Sequence, residues 1–322
     1  MARVLVTRPL TEGGTDPLVD AGHEIVQREN GSPLTSGEMA ALAPDCDGIV
    51  CHLTDRIDGA VLESGRAGRL RVVANAAVGY DNIDVVSATS MGIAVCNTPG
   101  VLDDTTADLA FLLILTATRQ ASDAERDLRE GRWTGWGFGM HLARDVHGAT
   151  LGLVGFGRIA RAVAQRARGF DMEVLHTTRH DTGEPGFVPT LDELLERSDI
   201  VSLHVPLSPA TRHLIGAAEL ARMKSTAVLI NTARGPVVDE NALVDALESG
   251  SIYAAGLDVF DGEPAVNPRI LSAPRTTILP HIGSATIATR TRMAQLACQG
   301  VCDVLAGRTP PNVIVPAAPQ PA

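Results

Sequence analysis

Apolar residues fall along this chain in short runs rich in Val, Ile and Leu, separated by longer stretches in which they return at helical spacing. The runs predict strands at residues 3–7, 24–27, 48–52, 71–75 and 93–97, and the stretches between them predict helices. Strand alternating with helix makes a small parallel α/β unit, flavodoxin-like in strand count. The rhythm resumes at Ala149, with strands predicted at 151–154, 173–178, 200–205, 227–232, 254–259 and 277–279. Six strands with intervening helices fit a doubly wound Rossmann domain.

That second unit opens on LGLVGFGRIARAVAQRARGF. A buried strand gives way to Gly155-Phe156-Gly157, and a helix begins near Arg158 and Ile159. Gly155 permits the tight turn, and Gly157 lets a pyrophosphate approach backbone N–H groups at the helix N-terminus. Ala160 is small enough for the helix to lie close on the strand. With the strand that follows, this is the dinucleotide-binding βαβ pattern.

A helix is predicted from Asp103 or Asp104 to about Glu130, with acidic and Thr residues at its first turn and Gly131 as its stop. Its segment 109–115 is apolar all round, which predicts burial on every side, at the junction of the units or between subunits. The loop RWTGWGFGMH then holds both tryptophans of a chain that is only 3% aromatic. Such clustering fits an interface or a pocket wall, and plain core packing is the alternative. A last helix is predicted over 285–305, and a Pro-rich tail, 309–322, is expected to be irregular.

Composition narrows the partners. A net charge of −11 with no run of Lys and Arg argues against nucleic acid. No apolar run approaches the length of a membrane span, and the apolar run near Met1 is too short for a signal peptide. The five cysteines show no zinc-like pairing and read as reduced, buried thiols of a cytoplasmic protein.

Candidate chemistry collects just after strands, where ligands gather in open α/β sheets. The second strand of the Rossmann unit ends in Thr178-Arg179-His180, with no carboxylate for a ribose 2′-hydroxyl and Asp181 one residue farther on. A cation and polar side chains there suit a 2′-phosphate, so NADPH is expected over NADH. Arg234, Glu263 and His281 each follow a later strand of the same unit. Arg can grip a carboxylate, His can exchange a proton, and Glu can hold and tune the His. In the first unit, 52–56 and 77–82 also follow strands; the residues alone allow ligand-facing loops or ordinary turns.

The segments NTARGPVVDENAL, AAGLDVFDGEP and LPHIGSAT resemble those of the D-isomer-specific 2-hydroxyacid dehydrogenase family, and the likeness runs from VLVTRPL to PPNVIVP. CHLTDRID, NAAVGYDNID, WTGW and the Thr-Arg pair look most like its glyoxylate/hydroxypyruvate reductases. The resemblance implies a substrate domain split between 1–98 and 285–322 around a dinucleotide-binding domain at 99–284. It implies Arg234 on the substrate carboxylate and carbonyl, His281 as acid/base with Glu263 as partner, and N–H groups near Leu53, Val78 and Gly79 holding the carboxylate. It implies cofactor contacts at Arg158, Ile159, Thr178, Arg179, Pro206, Thr211, Thr232, Asp258 and Gly283, with Thr105 reaching in, and a homodimer in which the loop bearing Trp136 crosses to the neighbouring site. A reductase of small 2-oxo acids is the leading expectation. A larger acid such as 2-ketogluconate, phosphite, or a nucleotide-sensing corepressor remain open on the same scaffold.

Overall fold

A computed structural model describes residues 1–27 and 31–315, and the chain divides into two compact units, Met1–Leu102 with Ser284–Ala322, and Asp103–Gly283. The division falls at 102/103 and 283/284.

The first unit holds strands β1 (Arg3–Val6), β2 (Glu24–Gln27), β3 (Gly48–Cys51), β4 (Val72–Asn75) and β5 (Ala94–Cys96), all parallel, in the order β2-β1-β3-β4-β5. β3 and β4 are buried along their whole length, because helices cover both faces of the sheet; this is why they read as continuous apolar runs and do not alternate. The helix Ile287–Leu305 belongs to this unit. Its Ala297, Cys298 and Val301 pack with Val4, Val6, Val50 and Val72, and a Cβ on Gly48 would lie 2.8 Å from Val301 Cγ1. The expectation of an irregular tail is corrected in part. Val313–Val315 forms a further strand, β12, antiparallel to β5, so this sheet has six strands. Pro and Asn before a three-residue apolar run hid it; the strand is held by its neighbour, not by its own pattern. The rest of that tail, 316–322, lies outside the described residues.

The second unit carries β6 (Thr150–Val154), β7 (Glu173–Thr177), β8 (Ile200–Leu203), β9 (Val228–Asn231), β10 (Ala254–Leu257) and β11 (Thr276–Ile278), parallel and ordered β11-β10-β9-β8-β6-β7. Phe187 bridges in parallel to His176 at the outer edge of β7, a rudiment of one more strand beyond it. Adding it gives seven positions in the order third-second-first-fourth-fifth-sixth-seventh, of which the first six follow the order that marks a dinucleotide-binding sheet.

The single long helix expected from 103 to 130 is two. Asp103–Thr118 ends where Gln120 takes a left-handed φ of 50°, and Ala121–Arg129 starts anew. Gln120 donates to the Tyr253 hydroxyl, an anchorage from a distant strand end that local periodicity does not show. Nor is 109–115 buried on every side. Phe111, Leu113 and Ile114 are buried, but Leu112 is 46% exposed, in line with exposed Asp104 and Asp108 at i,i+4 spacing. The second helix of the pair buries no residue within this chain. No helix among the described residues is long and apolar enough to cross a membrane.

Candidate active site

Arg234, Glu263 and His281 emerge from three loops at the carboxyl edge of the second sheet, after β9, β10 and β11. A Cβ on Gly235 would come within 1.8 Å of the Phe260 carbonyl carbon, so only glycine lets the Arg234 turn lie against the loop that carries Glu263. The Asn231 side chain ties that turn, donating to the Arg234 carbonyl at 2.9 Å and accepting from the Ala233 N–H at 3.0 Å. The Arg234 guanidinium is half-buried and donates to the Ala233 carbonyl at 2.8 Å.

His281 adopts a left-handed φ of 53°, its N–H bonded to the Asp258 carbonyl at 2.8 Å. Asp258 is buried, and its two carboxylate oxygens accept the N–H groups of Ile282 and Gly283, each at 2.8 Å. Burial pushes the Asp258 carboxyl up to about 6 in spite of those bonds and of His281. Asp258 therefore fixes the backbone immediately after the imidazole. The His281 ring meets Glu263 at 2.7 Å, Nδ1 to Oε2, while Glu263 Oε1 accepts the Phe260 N–H at 2.8 Å. Burial alone would raise the Glu263 carboxyl; the His281 bond and charge, the Phe260 N–H and Arg234 outweigh it and hold the group below its ordinary range. An ionised Glu263 can only accept, so Nδ1 carries a proton and Nε2 is left to exchange one. Three other imidazoles are made poor proton carriers by loss of water: His52, His176 and His204, the last pulled down to about 4 beside the Ser202 hydroxyl. The cysteines are unsuited too. All five are unpaired and buried, and burial pushes Cys96 and Cys298 up to about 12.

The same edge fits a dinucleotide. Gly155 has a φ of 88°, and a Cβ there would strike the His204 carbonyl at 2.7 Å; around Gly157 nothing lies within 4 Å of that position. The N–H groups of Arg158 and Ile159, in the first turn of the helix Arg158–Ala167, meet no acceptor among the described residues. Open space above unspent donors at a helix N-terminus is what a pyrophosphate needs. The Arg158 guanidinium itself is on Asp103, at 3.1 Å. The Thr232 hydroxyl is buried with no hydrogen-bond partner, and Thr211 donates to the Pro206 carbonyl at 2.6 Å. Gly283 lies against Thr106, one residue past Thr105. At the end of β7, Arg179 and His180 are exposed and the Thr178 hydroxyl donates to the His180 carbonyl. Asp181 spends one oxygen on the Gly183 N–H, 2.8 Å away, in a turn of its own loop. His176 connects this loop to the glycine turn: its ring stacks on Phe156 at 3.8 Å and its Nε2 meets the Thr182 hydroxyl at 3.0 Å. Sequence reasoning missed Asn231, Gly235 and His176, whose roles depend on contacts between separate loops.

In the first unit, Leu53, Val78 and Gly79 lie in loops after β3 and β4, and none of their N–H groups has an acceptor among the described residues. Trp136 is 82% exposed and meets Phe138 edge-on at 6.4 Å, which rules out core packing for the Trp loop within this chain.

The model of the D-isomer specific 2-hydroxyacid dehydrogenase NAD-binding domain matches residues 111–283. A glyoxylate reductase of Korarchaeum cryptofilum is 46% identical over 320 residues, covering 97% of this chain and 95% of its own. A Thermus thermophilus protein superposes with a TM-score of 0.91 at 42% identity, over 97% of this chain and 100% of that one. An NADPH-dependent glyoxylate/hydroxypyruvate reductase of Sinorhizobium meliloti, solved with NADP and malonate, gives a TM-score of 0.88 at 32% identity, over 100% and 99%.

Proposed function

The chain belongs to the D-isomer-specific 2-hydroxyacid dehydrogenase family, and from that premise we propose that it is an NADPH-preferring reductase of small 2-oxo acids, glyoxylate and hydroxypyruvate first. The observation that carries the reading is the 2.7 Å contact of His281 with an ionised Glu263 on the loop beside Arg234. The dinucleotide, when bound, supplies a hydride to the carbonyl carbon. Protonated His281 gives its Nε2 proton to the carbonyl oxygen, and Glu263 holds the ring in place and favours its charged form. Arg234 orients the substrate and stabilises the negative charge that develops on that oxygen. The carboxylate is held by the N–H groups of Leu53, Val78 and Gly79. The first unit, with its returning C-terminal segment, is on this reading the substrate domain, and the second the dinucleotide-binding domain.

Cofactor preference rests on Arg179. Asp181, two residues past Arg179, spends an oxygen in its own turn, and Glu184 is paired with Arg161, which supports a 2′-phosphate over a bare ribose. NADH is the weaker alternative. We also assign a homodimer, because Leu128, Trp133, Trp136, Phe138 and Leu142 expose a run of apolar surface larger than scattered side chains account for; a second copy is its occupant. Buried, unpaired cysteines are in keeping with a reducing cytoplasm.

The test is oxidation of NADPH, followed by the loss of its absorbance, on adding glyoxylate, hydroxypyruvate and 2-ketogluconate in turn. Turnover with the two small acids supports the proposal. Turnover with the larger acid alone moves the substrate class, and cofactor binding without turnover across the panel favours a sensor.

A further inference from the structure

We propose that three asparagines of the first unit, Asn75, Asn82 and Asn97, are positioning residues that aim the peptide N–H groups of Leu53 and Gly79 at the substrate carboxylate. In a planar trans peptide the C=O of one residue and the N–H of the next point in opposite directions. Whatever tethers a carbonyl therefore aims the following N–H the other way. The Leu53 N–H shares its peptide with the His52 carbonyl, which accepts from Asn82 Nδ2 at 3.2 Å and from the Asp55 N–H at 3.0 Å. The Gly79 N–H shares its peptide with the Val78 carbonyl, held by Asn97 Nδ2 at 2.8 Å. The Val78 N–H shares its peptide with the Ala77 carbonyl, held by the Thr98 N–H at 3.0 Å. All three donors of the carboxylate site are thus set by restraint on the far side of their own peptides.

The asparagines brace one another. Asn82 Nδ2 also donates to the Asp55 carbonyl at 2.9 Å, so one side chain grips both ends of the turn from 52 to 55. Asn75 is wholly buried; its Nδ2 donates to Asn82 Oδ1 at 2.9 Å and to the Gly79 carbonyl at 2.7 Å. Each amide nitrogen faces carbonyl oxygens, which only a donor satisfies, and this fixes the orientation of the side chains. Asparagine is the residue for the task because it offers two donors without a charge, leaving the outward donors free to meet an anion. An Asp of the same shape would set oxygens against carbonyls.

The inference rests on the carboxylate reading of these loops given above, and the experiment separates the two. Wild type, Asn97→Ala, Asn82→Ala and the isosteric Asn82→Asp are compared for glyoxylate kinetics, inhibition by oxalate, NADPH affinity and amide exchange of the peptides spanning 52–55 and 77–80. Ser64→Ala, which removes a side-chain bond elsewhere in the same unit, is the control for stability alone. KM for glyoxylate and Ki for oxalate should rise together, by roughly tenfold in Asn97→Ala and somewhat less in Asn82→Ala, where the Asp55 N–H still holds the carbonyl. The kcat and the NADPH affinity should hold, and oxalate should slow exchange at 52–55 and 77–80 in wild type but not in the variants. Variants that keep wild-type KM and Ki, or a Ser64→Ala that raises both equally, overturn the inference and leave the reductase reading standing. Wild type that binds oxalate but reduces no 2-oxo acid overturns the reductase reading and leaves the inference standing. Wild type that binds no carboxylate overturns both.

Discussion

The two units run their first five strands in the same order, second-first-third-fourth-fifth, and both carry polar residues at the carboxyl edge, yet they equip that edge differently. In the first unit the polar side chains turn back on their own backbone. Thr7 and the His52 N–H both donate to the wholly buried Asp55, at 2.5 and 2.8 Å, Arg8 pairs with it at 3.5 Å, and the asparagines hold carbonyls. In the second, the turn after the first strand is glycine with open space above it, and the side chains of the later loops turn to one another as Arg234, Glu263 and His281. One framework thus serves two purposes. Peptide N–H groups can hold an anion at fixed geometry but cannot exchange a proton at neutral pH, so on the proposed reading the step that moves one falls to the unit that owns an imidazole–carboxylate pair.

The largest effect that would break this division is expected from His281→Ala. Loss of the proton carrier should lower kcat by about 10²–10⁴-fold. NADPH affinity and oxalate inhibition should stay near wild type, since the pyrophosphate cradle and the first unit are untouched. Steady-state rates paired with fluorescence titration of NADPH decide it. A variant with wild-type kcat would take the proton step out of the second unit.

A smaller effect sharpens the contrast between holding an anion by side chain and by backbone. Arg179→Ala should cost roughly ten- to hundredfold in kcat/KM for NADPH, as loss of a hydrogen bond to a charged group does. NADH should be used as before, so the preference disappears by weakening NADPH alone. Because Arg179 is exposed, added salt should erode the wild-type preference for NADPH more than it raises KM for glyoxylate. Equal use of both cofactors by wild type would mean that the end of β7 does not grip a 2′-phosphate.

What the sequence disclosed, and what it withheld, follows the same division. Strand positions, the glycine turn and the trio of Arg234, Glu263 and His281 were legible because each is written in a local run: apolar stretches buried on both faces, GFGRI, and loops that begin where strands stop. The break at Gln120 was not legible, since its partner Tyr253 is far along the chain and the residues on either side keep helical periodicity. β12 was hidden for a related reason: Asn312 donates to the Asn97 carbonyl at 2.7 Å and so delivers a three-residue run to the edge of β5. Nor could pattern show why Gly235 must be glycine, or that Asn82 and Asn97 hold carbonyls, because these facts live in the approach of loops separated by many residues.

Trp136 gives a third and milder test. Its loop belongs to the second unit but buries little within this chain, so its energy is expected to come from a second copy. Trp136→Ala should change the ratio of kcat/KM for glyoxylate and hydroxypyruvate by roughly three- to tenfold, in the range that a modest change in pocket packing brings. NADPH affinity should not follow. Sedimentation of wild type at micromolar concentration should give a dimer, and a fully active monomer would remove the loop from any partner's site.

The smallest effect concerns Glu263, and its direction follows from the geometry. The carboxylate lies 2.7 Å from His281 Nδ1 and is itself held below its ordinary range, so it is charged at neutral pH. A fixed negative charge at that distance favours the imidazolium, the form from which reduction draws its proton. Glu263→Gln keeps a hydrogen-bond acceptor and the side-chain length but removes the charge. The alkaline limb of the reduction rate should therefore move to lower pH. At pH below the shifted limb the variant should approach wild-type kcat, because the proton is present in both. Stability should respond in the opposite range. A carboxylate depressed in the fold stabilises above its unfolded pKa and loses that contribution as pH falls through the folded value, so the difference in Tm between wild type and variant should shrink on acidification. A pH–rate profile that keeps its alkaline limb in place would mean that His281 takes its charge from elsewhere in the second unit, and the division between holding and reacting would then rest on Arg234 and His281 alone.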